Sequence, residues 1–205
     1  MLNKAQFTEL AQQGYNHIPL SLETFADLDT PLSIYLKLAN APYSYLLESV
    51  IGGERSGRYS IIGLPCRQRI TQSDGVIREF IGERCVAEHV NTDLFEFTRA
   101  FLQRKNVPKL DGHARYSGGL DGYFAYDTVR EIEHKLAHST PPDDVGIPDL
   151  HLMLSEELAV VDNLLGKVYL TVYADPSEPN AYEHAQARLQ TMLDALRRPA
   201  VLPVS

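Results

Sequence analysis

Apolar residues recur at helical spacing in four stretches of the chain, which predicts four amphipathic helices. The first begins after Asn3, a good N-cap, and ends before Gly14. The second begins at Thr30-Pro31, where threonine can cap the helix and proline suits the first helical position. The four predicted helices cover about residues 3–14, 30–40, 93–105 and 179–197.

Between these helices, apolar and polar residues alternate in short runs that are typical of strands. Ser73-Asp74-Gly75 separates two such runs and predicts a tight hairpin, because Asp-Gly favours the required turn. The most apolar run, LHLMLSEELAVVDNLLGKVYLTVYA, predicts two strands folded about Asn163 to Gly166. The other predicted strands are HIPLSLE, both arms of YSYLLESVIGGERSGRYSIIG, RCVAEHV and the start of GGLDGYFAYDTVREIE, which continues into a short helix.

The order of these elements predicts an α+β fold. Hairpins are interleaved with helices, without the regular strand–helix alternation of a parallel sheet. We therefore expect antiparallel β-sheets formed from hairpins, with flanking helices. A chain of 205 residues is long enough for one sizeable core or two small ones.

The hairpin sequence YSYLLESVIGGERSGRYSIIG carries a carboxylate in an apolar strand. Strand alternation places Glu48 on one face with Leu46, whereas Ser49 belongs to the opposite face. A carboxylate buried among apolar residues requires a cation nearby, or it must stay protonated. That cation is either Arg58 on the returning strand or the ammonium group of a ligand such as a free amino acid, and the residues alone leave both open.

Composition and charge exclude several classes of partner. The net charge is −8, and no stretch gathers enough Lys and Arg to form a nucleic-acid-binding face. No apolar run approaches the roughly 20 residues needed to cross a bilayer, so no membrane span and a cytoplasmic location are expected. Cys66 and Cys85 lie in alternating segments, where both are expected to be small core residues.

Other pairs of polar residues are weak signals of metal binding or catalysis. His134 and His138 have the spacing of metal ligands on a helix, and Asp143 and Asp144 follow two prolines. Without a recognisable third ligand, solvated surface positions are the favoured interpretation. No nucleophile has a neighbouring base in a known motif. Catalysis by this chain alone is therefore not expected.

Four separated blocks of the sequence together resemble the N-terminal region of the anthranilate synthase component I family. The blocks are TPLSIYLKL, PYSYLLESVIGGERSGRYSIIG, GGLDGYFAYDTVREIE and PDLHLMLSEELAVVDNLLGKVYL, in the family's order. The resemblance implies the family's two-sheet architecture, with residues 1–198 as an N-terminal domain and 199–205 as the start of a linker. In that family the LLES segment helps to bind L-tryptophan as a feedback inhibitor. The resemblance therefore implies tryptophan-binding roles for five residues, Glu48, Ser49, Arg58, Tyr59 and Ser60.

The same resemblance implies a larger enzyme. Family members are lyases that convert chorismate and ammonia or glutamine to anthranilate and pyruvate, with Mg²⁺, in tryptophan biosynthesis. The motifs of their catalytic chorismate-binding domain are missing from this sequence, so we expect no catalytic residue and no cofactor in this chain. The expected partners are L-tryptophan, that domain and a glutamine amidotransferase subunit, component II.

Two other functions stay open at this stage. The chain also resembles the equivalent N-terminal domain of aminodeoxychorismate synthase component I, which makes a folate precursor. Alternatively, it is a non-catalytic structural or assembly domain in which Glu48 is merely paired with Arg58. Sheet edges or apolar surface exposed in isolation would favour a homo-oligomer.

Overall fold

The computed structural model describes residues 1–25, 28–48, 57–110, 118–136 and 145–200. The helices are α1 (Lys4–Gln12), α2 (Pro31–Leu38), α3 (Leu94–Gln103), α4 (Val129–Ile132) and α5 (Ala181–Leu196). The strands are β1 (Ile18–Phe25), β2 (Tyr45–Glu48), β3 (Tyr59–Gly63), β4 (Gln68–Ser73), β5 (Val76–Ile81), β6 (Arg84–Val90), β7 (Leu120–Phe124), β8 (Leu150–Leu154), β9 (Glu157–Asp162) and β10 (Lys167–Ala174).

These strands form two five-stranded antiparallel sheets. Sheet A has the order β1-β10-β9-β3-β2, and sheet B has the order β6-β5-β4-β8-β7. Each sheet belongs to its own compact unit. Unit 1 takes its described residues from 1–65, 105–118 and 155–205, and unit 2 from 66–104 and 119–154. The predicted α+β class, with antiparallel sheets and flanking helices, is confirmed.

One face of sheet A carries the core of unit 1. Helices α1, α2 and α5 supply the apolar side chains that pack on it. The first two helices begin as the sequence predicts, since Asn3 and Thr30 each accept a hydrogen bond from the third helical residue and complete a capping box. The fully buried members of this core include Ile18, Leu20, Ile34, Ile62, Val168 and Leu170.

Sheet B packs against α3 to form the core of unit 2. The predicted turn between β4 and β5 is present, with Asp74 at φ +53° and Gly75 at φ +72°. Such positive angles explain why an Asp-Gly pair occupies it. Another glycine, Gly122 in β7, lies so close to the next strand that a Cβ there would stand 2.0 Å from the carbonyl oxygen of His151. The core residues are Ile70, Ile77, Leu94, Phe97, Phe101, Leu150 and Leu152.

Two sequence-based expectations are wrong in detail. The apolar run over residues 150–162 was expected to be one strand, but Ser155 and Glu156 interrupt it, and its halves β8 and β9 join different sheets. Both halves are buried on both faces, so no alternation in the sequence marks the break. Cys66 is buried as expected, whereas Cys85 is exposed because β6 is an edge strand of sheet B.

No helix among the described residues is long and apolar enough to cross a bilayer. Asp143, Asp144 and His138 lie outside the described residues, so neither the Asp143–Asp144 pair nor the His134–His138 pair can be placed.

Candidate functional site

The hairpin formed by β2 and β3 lies at one edge of sheet A. Strand β2 is the last strand of the sheet, and β3 joins it to β9. In the antiparallel register Glu48 is opposite Ser60, and Tyr45 is opposite Gly63. Ser49, the first residue after β2, lies outside the described residues. Four of the five predicted site residues can therefore be placed.

Glu48 is exposed, which corrects the expectation that its carboxylate is buried among apolar side chains. It does share the face of Leu46, and Leu46 packs on the core of unit 1. The strand ends at Glu48 on the open edge of the sheet, however, so the carboxylate reaches solvent. No ion pair or hydrogen bond joins this carboxylate to another described residue. Glu48 is thus a charged group at a sheet edge that needs no buried counter-ion.

Arg58 is paired with Asp162, not with Glu48. Its Nη2 lies 2.7 Å from Asp162 Oδ2, and its Nε lies 3.2 Å from Oδ1 and 3.1 Å from Oδ2. Asp162 is fully buried, whereas the Arg58 side chain is 35% exposed. Hydrogen bonds from the guanidinium are the main reason why the pKa of Asp162 is lowered. The carboxylate that is buried and paired with Arg58 is therefore that of Asp162, not that of Glu48.

Asn163, the residue after β9, binds the segment that leads into β3. Its backbone N–H donates to the carbonyl oxygen of Arg58 at 2.8 Å. Its side-chain Nδ2 donates to the carbonyl oxygen of Gly57 and to Ser60 Oγ, each at 3.1 Å. Ser60 is 2% exposed, so this bond satisfies a hydroxyl that has little access to water. Ser60 still has a hydroxyl proton to donate.

Tyr59 lies on the other face of β3, opposite Asp162 in β9. The Arg58 guanidinium carbon is 4.9 Å from the centroid of the Tyr59 ring, within the range of a cation–π contact. The predicted site residues therefore divide between two faces. Glu48 and Ser60 share the core-facing side, and Tyr59 shares the opposite side with Asp162.

The other end of the hairpin is fixed by Tyr45. Its ring lies over Gly63, where a Cβ would come within 2.1 Å of the ring carbon Cε1. Its hydroxyl is 2.7 Å from Ser155 Oγ. Both ends of β3 are thus held by side-chain contacts, next to an edge strand of four residues.

Chemically, this edge can bind a cationic group. The exposed Glu48 carboxylate is a hydrogen-bond acceptor with a negative charge, and Ser60 is directly opposite it on the same face. An ammonium group, with three donors and one positive charge, is complementary to such an acceptor. No group of three potential metal ligands occurs among the described residues, and nothing in that part of the chain fits a Mg²⁺ site.

Sequence reasoning missed Asp162 and Asn163. The signal was present, because a carboxylate follows an almost unbroken run of apolar residues in ELAVVDN. A charge at the end of such a buried strand needs a partner. Nothing local identifies that partner, since Arg58 is 104 residues earlier in the chain.

Comparison with known proteins gives a consistent family. No family model matches the chain. Anthranilate synthase component 1 of Neisseria meningitidis is 50% identical over 208 residues, which covers all of this chain and 42% of that protein. Anthranilate synthase component 1 of Pseudomonas aeruginosa is 53% identical over 198 residues, which covers 97% of this chain and 40% of that protein. The chain thus spans about two fifths of the length of these relatives.

A solved structure agrees with the sequence matches. The crystal structure of anthranilate synthase component I from Streptococcus pneumoniae superposes with a TM-score of 0.54 and 22% sequence identity. The match covers 86% of this chain and 37% of that protein, and it establishes a shared fold. With these sequence matches along the whole chain, the chain belongs to the anthranilate synthase component I family and corresponds to the N-terminal part of its members.

Proposed function

We propose that the chain is the regulatory, L-tryptophan-binding part of an anthranilate synthase component I. The complete protein would convert chorismate and ammonia or glutamine to anthranilate and pyruvate. In this proposal the chain itself carries out no chemical step. It binds the amino acid at the β2–β3 edge of sheet A and controls a catalytic centre elsewhere in the complete protein.

The proposed reaction of the complete protein rests on the relatives that this chain matches. Proteins called anthranilate synthase component 1 match this chain from end to end at about half identity. Because the chain spans only about two fifths of their length, their activity is proposed for the complete protein and not for the chain. The chorismate-binding domain, the Mg²⁺ and a glutamine amidotransferase subunit belong to the same proposal as partners of the complete protein.

The observation that carries amino-acid binding is the exposed Glu48 carboxylate at the end of β2. An α-ammonium group is its natural partner, because no described residue neutralises it. Ser60 lies opposite, and Ser49 follows directly in the sequence. Arg58 and Tyr59 support the same strand, with Arg58 already bound to Asp162. The assembly-domain alternative loses its motivating contact, since Arg58 is not paired with Glu48.

Calorimetric titration of the chain with L-tryptophan tests this proposal. We expect saturable binding of L-tryptophan and much weaker binding of D-tryptophan and L-phenylalanine. Glu48→Gln and Ser49→Ala should each weaken binding roughly tenfold or more, as expected when a charged or hydroxyl hydrogen bond is lost.

The matched control is Glu23→Gln, which also removes a carboxylate from an edge strand of sheet A, at the opposite edge. It should bind L-tryptophan as the wild type does. Absence of binding by the folded wild-type chain, or equal losses in Glu48→Gln and Glu23→Gln, would contradict a site at this hairpin.

A further inference from the structure

The buried Asp162 is the centre of a hydrogen-bond cluster that joins two separate hairpins. It is the last residue of β9, at the turn into β10, and it pairs in register with Tyr59 at the start of β3. Both carboxylate oxygens accept hydrogen bonds from Arg58. Oδ1 also accepts the backbone N–H groups of Leu164 and Leu165, each at 3.1 Å. One carboxylate thus holds the β9–β10 turn and the residue that precedes β3.

Asn163 extends this cluster to the site itself. Its backbone and side chain make three hydrogen bonds to Gly57, Arg58 and Ser60. Gly57 and Arg58 lead into β3, and Ser60 is the residue of that strand opposite Glu48. Since the partner strand β2 is a short edge strand, the position of this segment depends on its contacts with β9 and the following turn.

We infer that Asp162 is a positioning residue for the amino-acid site, acting through Arg58 and with Asn163. This inference rests on the proposed function, because it concerns the same site. The cluster fixes the orientation of the buried Ser60 hydroxyl and of the backbone at residues 57–60, and with them the part of β3 that pairs with Glu48. Asp162 does not touch the ligand. It determines the position of the strand segment against which Glu48 is held.

A second ion pair in the same strand provides a matched comparison. Glu157, the first residue of β9, binds Arg188 of α5 with the same bidentate geometry, at 2.8, 2.9 and 2.7 Å. It lies five residues from Asp162, which corresponds to roughly 17 Å along a strand. Loss of either pair removes a carboxylate–guanidinium contact made by a residue of β9, with a guanidinium that is partly exposed in both cases. Only Asp162 contacts the residues of the site.

The experiment compares Asp162→Asn with Glu157→Gln by calorimetry, with L- and D-tryptophan, at a temperature where both variants are folded. Asparagine keeps the size of the side chain and one oxygen for the turn N–H groups, but it carries no charge and replaces the second acceptor oxygen with an NH2 donor that cannot accept from Arg58. We expect the Kd for L-tryptophan to rise roughly tenfold in Asp162→Asn and the preference for the L-enantiomer to fall. Glu157→Gln should change neither quantity.

Amide hydrogen exchange measures the local stability of residues 57–60 without any ligand. Amides of residues 57–60 should exchange faster in Asp162→Asn than in the wild type, and at the wild-type rate in Glu157→Gln. Wild-type binding and enantiomer preference that persist in Asp162→Asn would overturn the positioning role alone. A folded wild-type chain that binds no L-tryptophan would overturn the proposed function and this inference with it. Equal losses in both variants would show a general effect of stability and also overturn the inference.

Discussion

His17 shows how strongly burial controls the charge of one residue in unit 1. Its ring stacks on Tyr173 with centroids 4.4 Å apart, and the residue is 6% exposed. Burial is the main reason why its pKa falls from the usual 6.5 to about 4, and the nearby positive charge of Lys105 lowers it further. Glu156, Asp175 and a hydrogen bond to the Ser155 backbone act in the opposite direction. The imidazole is therefore neutral in the folded protein at neutral pH.

This neutral imidazole predicts a loss of stability on mild acidification. Between pH 6.5 and about 4 the unfolded chain binds a proton at His17 that the folded chain does not, so unfolding becomes more favourable as the pH falls. From pH 7 to pH 5 this effect amounts to about 2 kcal/mol of the free energy of unfolding. His17→Phe keeps an aromatic ring against Tyr173 but cannot titrate. Urea unfolding at the two pH values should show a correspondingly smaller difference in this variant.

His184 provides the control, since it lies on the exposed side of α5. His184→Gln should keep the pH dependence of the wild type. If His17→Phe and the wild type lose the same stability between pH 7 and pH 5, the buried imidazole is not the group responsible.

Glu48 and Asp162 illustrate what residue-level reasoning can and cannot decide. Both carboxylates follow apolar residues in the sequence, so both are candidates for burial. Asp162 is buried because β9 lies inside sheet A, between β10 and β3, whereas Glu48 ends an edge strand. The difference depends on neighbouring strands and not on the flanking residues.

At the scale of elements, the contact between Tyr45 and Gly63 joins β2 to β3. The Tyr45 ring occupies the space that any larger residue at position 63 would need. The Tyr45 hydroxyl is bound to Ser155, which precedes β9. The aromatic ring therefore packs across the strand pair, and glycine is required for close approach and not for an unusual backbone angle.

Gly63→Ala should destabilise the chain by about 2 kcal/mol. The added methyl group would lie 2.1 Å from the Tyr45 ring, so the ring must move and lose its bond to Ser155. Urea unfolding measures the change in the free energy of unfolding. In a Tyr45→Ala background the same substitution should cost much less, because the ring that it strikes is gone. An equal cost in both backgrounds would rule out this contact as the cause.

The separation of β8 from β9 also depends on how the strands pair. Predicted as one strand, the run is divided at Ser155 and Glu156, so that β8 pairs in sheet B and β9 in sheet A. Ser155 has a role at this break, because it is the partner of the Tyr45 hydroxyl. The polar residues Ser155 and Glu156, between two mostly buried strands, are the local sign of the change of sheet.

At the scale of the whole molecule, the chain passes from one unit to the other four times, after residues 65, 104, 118 and 154. Each unit has its own cluster of buried apolar residues. Sheet B is completed only when β7 and β8 join the hairpins made by β4, β5 and β6. Its formation therefore depends on two separate parts of the sequence.

A fragment of residues 66–154 should fold on its own. It contains all five strands of sheet B, the helix α3 and every residue of the unit 2 core. We expect dispersed amide resonances in its NMR spectrum and cooperative unfolding in urea. A fragment of residues 66–118 is the control. It lacks β7 and β8, with the core residues Leu150 and Leu152, and should be unfolded. A disordered 66–154 fragment would show that unit 2 is not an independent folding unit.

The sequence by itself determined the features that depend on neighbouring residues. Helix starts at Asn3 and Thr30 and the Asp74-Gly75 turn follow from local hydrogen bonds and backbone angles, and they are where the sequence predicts them. The α+β class follows from the order of these elements. The resemblance to the family follows from four separated blocks of the sequence. Tryptophan binding at Glu48 and Ser49 stays a prediction.

Only the tertiary structure decided which strands become neighbours. It divided residues 150–162 between two sheets, left Glu48 exposed and placed Arg58 on the buried Asp162. Burial and charge pairing depend on residues that are far apart in the chain, here by 104 positions. The physical reason is that the cost of burying a charge is set by the assembled surroundings, which local sequence does not specify.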